Sequence, residues 1–183
     1  MRDRAFTTIE TERLLLRRFG TEDAPAFAAY RADPGIARYQ SWEGFTLEDA
    51  EGFIAGLATD DPGVPGEWFQ FAVADRTGAQ LLGDCAIVLD AGDPPNAEIG
   101  YTMSPGSQGH GYATEAVRGL LGYAFERLDV GTVHAVTDTR NDASIAVAEK
   151  LGMRCIATIS TTFKGEACDE HTYELTREEW RNR

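Results

Sequence analysis

The most regular apolar pattern in the chain lies between residues 113 and 128. Ala113, Ala116, Val117, Leu120, Leu121, Ala124, Phe125 and Leu128 recur at spacings of three and four. That period predicts a helix with one apolar stripe laid on a sheet. Period-two segments predict the sheet. Leu14, Leu16 and Arg18 alternate with Leu15, Arg17 and Phe19; Phe69, Phe71 and Val73 share one face of a second strand. Arg76-Thr77-Gly78 then turns the chain into a third strand, Gln80 to Leu89. Ala97 to Met103 predicts a strand before the long helix and Thr132 to Thr137 one after it, a right-handed crossover with parallel neighbours. Arg154 to Phe163 and His171 to Leu175 predict a closing hairpin.

Shorter helices are announced by their caps. Thr21 precedes Ala24, Phe27 and Ala28; Thr46-Leu47-Glu48-Asp49 opens a helix bearing Phe53, Ile54 and Leu57. A helix from about Ala143 ends at Gly152, and Thr176-Arg177-Glu178-Glu179 starts a short terminal one. The breaker-rich stretches Asp60 to Gly66 and Ala91 to Asn96 are loops, as is the Pro34 to Phe45 connection. The sum is an α+β fold: a mixed, largely antiparallel central sheet flanked by helices. Its ligand crevice is expected where the Glu98 strand parts from the Thr132–Thr137 strand. With 183 residues and no repeat or linker, residues 1–183 read as a single domain.

The chemistry concentrates between the Ala97 strand and the long helix. After a Ser104-Pro105-Gly106 break comes Gln108-Gly109-His110-Gly111-Tyr112-Ala113. Glycine lets a backbone approach a bulky ligand with no Cβ in the way. The free amides and dipole at a helix start favour a phosphate. Two glycines before a helix fit a plain tight turn as well. Neither Gly-x-x-x-x-Gly-Lys-Ser/Thr nor Gly-x-Gly-x-x-Gly is present, Thr114 standing where the last glycine of the second would fall.

Gln108-x-x-Gly111-x-Ala113 resembles the Gln/Arg-x-x-Gly-x-Gly/Ala signature of the GNAT superfamily of acyl-CoA-dependent N-acyltransferases. Ala97-Glu98-Ile99-Gly100-Tyr101, Ala113-Thr114-Glu115-Ala116, Asn141-x-x-Ser144 and Glu149-Lys150-Leu151-Gly152-Met153 extend the match. Thr11-Glu12-Arg13-Leu14-Leu15-Leu16-Arg17 resembles the opening of the ribosomal-protein N-terminal acetyltransferase-like (Rim-type) branch. The resemblance implies a GNAT-like fold with a coenzyme A crevice between splayed central strands. It also implies acetyl transfer from acetyl-CoA to a primary amine. By the family pattern Gln108, Gly109, His110, Gly111, Tyr112, Ala113 and Thr114 hold the pyrophosphate, while backbone groups of Tyr101, Thr102 and Met103 hold the pantetheine arm. Asn141 matches the residue that bonds the pantetheine amides, and is equally a natural N-cap. Ser144 matches a common residue of the Rim-type branch.

Acyl transfer to an ammonium, whose lysine-type pKa is about 10.4, needs a proton acceptor. Glu98, on one strand face with Gly100 and Thr102, is the candidate base, directly or through water; a surface carboxylate is the other reading. Where the family often has a tyrosine before Glu149 this chain has Ala148. Ser144, one turn earlier and expected on the same side, is then a candidate donor to the leaving thiolate. Tyr39 and Trp42, in the Pro34–Phe45 connection, are expected to wall the acceptor or else to anchor the core. A non-catalytic acyl-CoA-binding sensor or interaction domain is the alternative function.

Net charge of −13, from 30 acidic and 17 basic residues, argues against nucleic acid; it fits a cationic acceptor, a protein N-terminus or a small cationic molecule, and fits equally an acidity that only keeps the protein soluble. Cys85, Cys155 and Cys168 form no Cys-x-x-Cys pair, and His110, His134 and His171 show no metal-ligand spacing, so reduced thiols and no metal are expected. No apolar run approaches the roughly 20 residues of a membrane helix, and no secretory signal opens the chain. A cytoplasmic monomer or homodimer is expected.

Overall fold

In a computed structural model, which describes residues 2–183, one eight-stranded sheet runs through the chain. Its first strands are β1 (Thr8–Glu10) and β2 (Leu14–Arg17). Three helices follow: α1 (Ala24–Arg31), α2 (Pro34–Ala37) and α3 (Leu47–Leu57). Then come β3 (Phe69–Asp75), β4 (Leu81–Leu89), β5 (Asn96–Met103) and α4 (Tyr112–Glu126). β6 (Thr132–Asp138), α5 (Asp142–Lys150), β7 (Arg154–Phe163), β8 (Glu166–Thr176) and α6 (Arg177–Arg181) complete it. The strand order is β1-β2-β3-β4-β5-β6-β8-β7, antiparallel throughout except for the parallel β5–β6 neighbours expected of the crossover.

Alternation assigns the two faces. Phe71 and Val73 of β3, Ile99 and Met103 of β5 and Val133 of β6 join the α4 stripe and the buried Ala148, Leu151 and Met153 in one core. Ala72, between Phe71 and Val73, points the other way and packs with Phe27, Tyr30 and Ile54 under α1 and α3. On that second face a charge is buried. Arg31 sits 3.8 Å from Asp84 and is stacked against Trp42 (3.8 Å) and Phe27 (4.2 Å). Tyr30 and Gln70 donate to the Asp84 carboxylate. Burial pushes the Asp84 carboxyl up, with Arg31 and the two donors working against that.

Three segments depart from the sequence reading. The Pro34–Phe45 connection, expected as a loop, contains α2. Asp33 caps it by accepting from Gly35 N (2.7 Å) and Ile36 N (3.3 Å), and Pro34 stands at its first position. Thr21 starts a 3₁₀ turn, Thr21–Asp23, and the α-helix begins only at Ala24. β8 starts at Glu166, not His171, so the closing hairpin is longer and its turn lies at Lys164-Gly165.

The feature that positions the site is a divergence. β5 and β6 pair only at Asn96 with Thr132, Ala97 with Val133 and Glu98 with His134. Both strands then continue, to Met103 and Asp138, without meeting again.

Candidate active site

Past Glu98, β5 keeps its partner β4 as far as Met103 opposite Gly83, so one edge is satisfied and the edge facing β6 is open. Unpaired strand-edge N–H and C=O groups are ready partners for an extended amide chain. The opening is a crevice of about 610 Å³, with Ile99 to Met103 on one side, Ala135 to Asp138 on the other and Asn141, Ser144 and Val147 of α5 along it. Gln108, Gly109, Gly111, Tyr112, Ala113 and Thr114 line it too, and so does Tyr39.

The glycine turn takes the shape its sequence demands. Gly109 and Gly111 have φ of 77° and 80°, a region other residues rarely adopt. A Cβ at Gly109 would meet nothing within 4 Å, so packing does not explain glycine there. Gly111 is the N-cap of α4 and, lacking a side chain, offers its amides no side-chain acceptor. Gln108 folds back, its Nε2 donating to Met103 O at 3.1 Å, so this side chain fastens the turn to the end of β5. His110 is exposed and outside the crevice lining.

Asn141 fills the capping role directly, its Oδ1 accepting from Ser144 N at 3.2 Å while the residue faces the crevice. Ser144 is bonded by a partner the sequence did not suggest. The Tyr101 hydroxyl donates to Ser144 O at 3.0 Å and lies 3.0 Å from Ser144 Oγ. Burial pushes the Tyr101 phenol up to about 12, with Ser144 opposing. Ala148 does not share the side of Ser144 that meets the crevice: at 2% exposure it is part of the core. A tyrosine there would have to displace packed side chains, so the missing family tyrosine cannot simply be restored.

The expected acceptor residues separate. Tyr39 lines the crevice, its hydroxyl donating to Arg140 O at 3.1 Å. Trp42 does not line it: its indole covers Arg31 and donates to Arg31 O at 3.1 Å, the core-anchor alternative. Glu98 is the last residue of β5 paired with β6, exposed and outside the crevice lining, on the face opposite Tyr101.

A family model described as Acetyltransferase (GNAT) domain matches residues 13–154, which hold the turn, the splayed strands and α5. The chain belongs to the GNAT acetyltransferase family. It is 32% identical over 174 residues to the uncharacterized N-acetyltransferase YnaD of Bacillus subtilis (strain 168), covering 94% of this chain and 98% of that protein. It is 31% identical over 190 residues to FsC-acetyl coenzyme A-N(2)-transacetylase of Aspergillus fumigatus, covering 97% of this chain and 79% of that one. The crystal structure of the acetyltransferase (GNAT family) from Bacillus anthracis aligns with a TM-score of 0.82 at 28% identity, over 94% of this chain and 99% of that chain. This GNAT protein is therefore an acyltransferase, and GNAT acetyltransferases use acetyl-CoA.

Residues that sequence reasoning missed do much to shape this GNAT site. Arg13, at the head of β2, donates to His110 O (3.0 Å), pairs with Glu115 (2.6 Å) and stacks over Tyr112 (4.7 Å), clamping the glycine turn from outside. Partial burial opposes ionisation of Glu115, yet the Thr11 hydroxyl and the Arg13 amide and guanidinium hold its carboxyl below the usual range. Phe163 and Glu170 also line the crevice. Glu170 stands opposite Asp138, whose carboxylate is held by Arg140 at 2.6 Å. Lys164 reaches from the β7–β8 turn to donate to Ala37 O and Trp42 O, both at 2.8 Å. The only sequence signal for this clamp was the Lys-Gly turn of the hairpin, and it pointed nowhere in particular. Among the described residues no helix is long and apolar enough to cross a membrane, and no group of three or more His, Cys, Asp or Glu side chains is placed to hold a metal.

Proposed function

We propose that this protein is an N-acetyltransferase that moves an acetyl group from acetyl-CoA to a primary amine, on a protein N-terminus or on a small cationic molecule. The observation that carries the reading is the splay of β5 from β6, which leads from an uncapped helix start to the Tyr101–Ser144 pair within one crevice. The residues present fit acetyl-CoA. The open space at Gly109 and the uncapped amides of α4 suit a pyrophosphate, and the free edge of β5 at Tyr101, Thr102 and Met103 suits the pantetheine amides. Bound there, acetyl-CoA supplies an activated thioester; the rest of the chemistry falls to the chain.

An amine must lose a proton before it attacks, and Glu98 is the base we assign. Its exposure on the face away from Tyr101 makes water the natural intermediary. Donors from the open edge of β5 stabilise the oxygen that gains charge, and Ser144 faces the departing sulfur. Glu170, a carboxylate in the crevice with no cation paired to it among the described residues, supports a cationic acceptor. The opening Thr11 to Arg17 and Ser144 support placing the chain in the Rim-type branch. Cys85, Cys155 and Cys168 are all free thiols, which fits the cytoplasm.

A panel of amines assayed for acetyl-CoA-dependent thiol release, with mass spectrometry of the products, tests the reading. Turnover is expected with cationic amines, and Glu98→Gln is expected to lower it by roughly 10²-fold while acetyl-CoA affinity holds. Binding of acetyl-CoA with no turnover across the panel would return the chain to the non-catalytic sensor reading.

A further inference from the structure

Tyr101 offers one phenolic proton to two acceptors. Ser144 O and Ser144 Oγ are each 3.0 Å from its hydroxyl oxygen. A carbonyl can only accept, whereas a serine hydroxyl can donate or accept. Two arrangements follow. If the Tyr101 proton goes to the carbonyl, the contact with Oγ is made by the Ser144 proton, which then points away from the crevice. If the Tyr101 proton goes to Oγ, the Ser144 proton is free to turn toward the crevice that both residues line.

We propose that Tyr101 is a positioning residue whose phenolic proton, by swinging from Ser144 O to Ser144 Oγ, releases the Ser144 hydroxyl to donate to the coenzyme A thiolate. This rests on the acetyl-transfer reading above and adds a residue and a device to it. Over the net reaction, R–NH₃⁺ and acetyl-S-CoA give R–NH-acetyl, HS-CoA and H⁺. When the C–S bond breaks its electron pair stays on sulfur, and a hydrogen bond from Ser144 stabilises the charge that results. The proton that balances sulfur comes from those the amine sheds, so neither Ser144 nor Tyr101 has to ionise. That division of labour suits the phenol, which burial holds well above neutrality. Consecutive donors polarise one another, so Tyr101→Ser144→sulfur is stronger than Ser144 alone. The arrangement also supplies from β5 a phenol that α5, with Ala148 buried in the core, does not.

The test needs no acceptor. The thiol of bound coenzyme A is titrated by thiolate absorbance in the wild type, Tyr101→Phe, Ser144→Ala and the double variant, with affinity measured by calorimetry. The wild type is expected to lower the thiol pKa below that of free coenzyme A. Ser144→Ala should raise it by about 1–2 units, on the scale of one charged hydrogen bond, and Tyr101→Phe by a part of that. The double variant should match Ser144→Ala alone, because Tyr101 acts only through that hydroxyl. Equal affinity with an unmoved titration in Tyr101→Phe overturns this proposal alone, and so do effects of the two substitutions that add. Loss of affinity in Tyr101→Phe without a thiol shift also overturns it, by assigning Tyr101 to the anchoring of α5. A wild type that binds no coenzyme A contradicts the acetyl-transfer reading and this proposal with it.

Discussion

At the end of the crevice proposed for the donor the groups that meet the cleft are mostly backbone: the open edge of β5, two left-handed glycines and the uncapped amides of α4. They come from one stretch, Gly100 to Thr114, whose geometry follows from local sequence. At the end proposed for the acceptor they are side chains brought from far apart: Tyr39 beside α2, Glu170 from β8 and Phe163 from β7. Single contacts across long sequence separations hold that wall, Lys164 to Ala37 and Trp42, and Tyr39 to Arg140. A backbone-built site tolerates change in most side chains as long as its glycines stay. A wall of side chains can be rewritten without touching the sheet. One protein can therefore share its donor chemistry with distant relatives while its acceptor specificity is its own.

If the two ends are independent in this way, a residue beneath the acceptor wall should affect the fold and leave the donor end alone. Trp42→Ala uncovers the buried Arg31 and removes a stacked contact at 3.8 Å. A loss of roughly 1–3 kcal/mol in chemical denaturation is expected, with acetyl-CoA affinity unchanged in the folded protein. A parallel fall in affinity would mean that the two ends are mechanically coupled.

A smaller effect separates the ends by pH. Glu115 ties the glycine turn to Arg13 with a carboxyl held below its ordinary value of 4.5. A lowered folded pKa contributes stability that is present above the ordinary value and is lost as pH falls through the folded one. The β7–β8 clamp rests on two bonds from Lys164 to backbone carbonyls, which do not titrate, and on one exposed ion pair with Glu43 (3.1 Å), a kind of contact that contributes little. Amide exchange on acidification below about pH 4.5 should therefore rise first around residues 108–115 and later at the β7–β8 turn. The reverse order would break the contrast.

The same difference explains what could be read beforehand. The α4 stripe, the alternating strands, the crossover and the capping roles of Asn141 and Thr176 are local patterns, and each formed as expected. The crevice followed from topology, because diverging parallel strands open where their pairing stops. Trp42 could not be placed, since an aromatic in a connection stacks on a cation or faces a ligand according to where Arg31 lies, and local pattern does not say that. Tyr101 was legible as a strand residue but not as a partner of Ser144, a contact made across 43 positions of sequence. Arg13 and Glu115 each stood in a recognised segment, yet their meeting depends on β2 starting beside the first turn of α4.

The central claim is that the crevice holds acetyl-CoA with its pyrophosphate on the Gln108–Thr114 turn, and calorimetry on Gly111→Val tests it most directly. Gly111 takes a φ of 80°, and beside the Cβ it lacks only the Arg13 guanidinium approaches, at 3.5 Å. A branched side chain there would press on the Arg13 clamp and strain the left-handed backbone, disturbing the amides proposed to bind the phosphate, so affinity should fall by roughly 10²-fold or more in a variant that circular dichroism shows to be folded. A folded Gly111→Val protein that binds acetyl-CoA as tightly as the wild type would contradict the account.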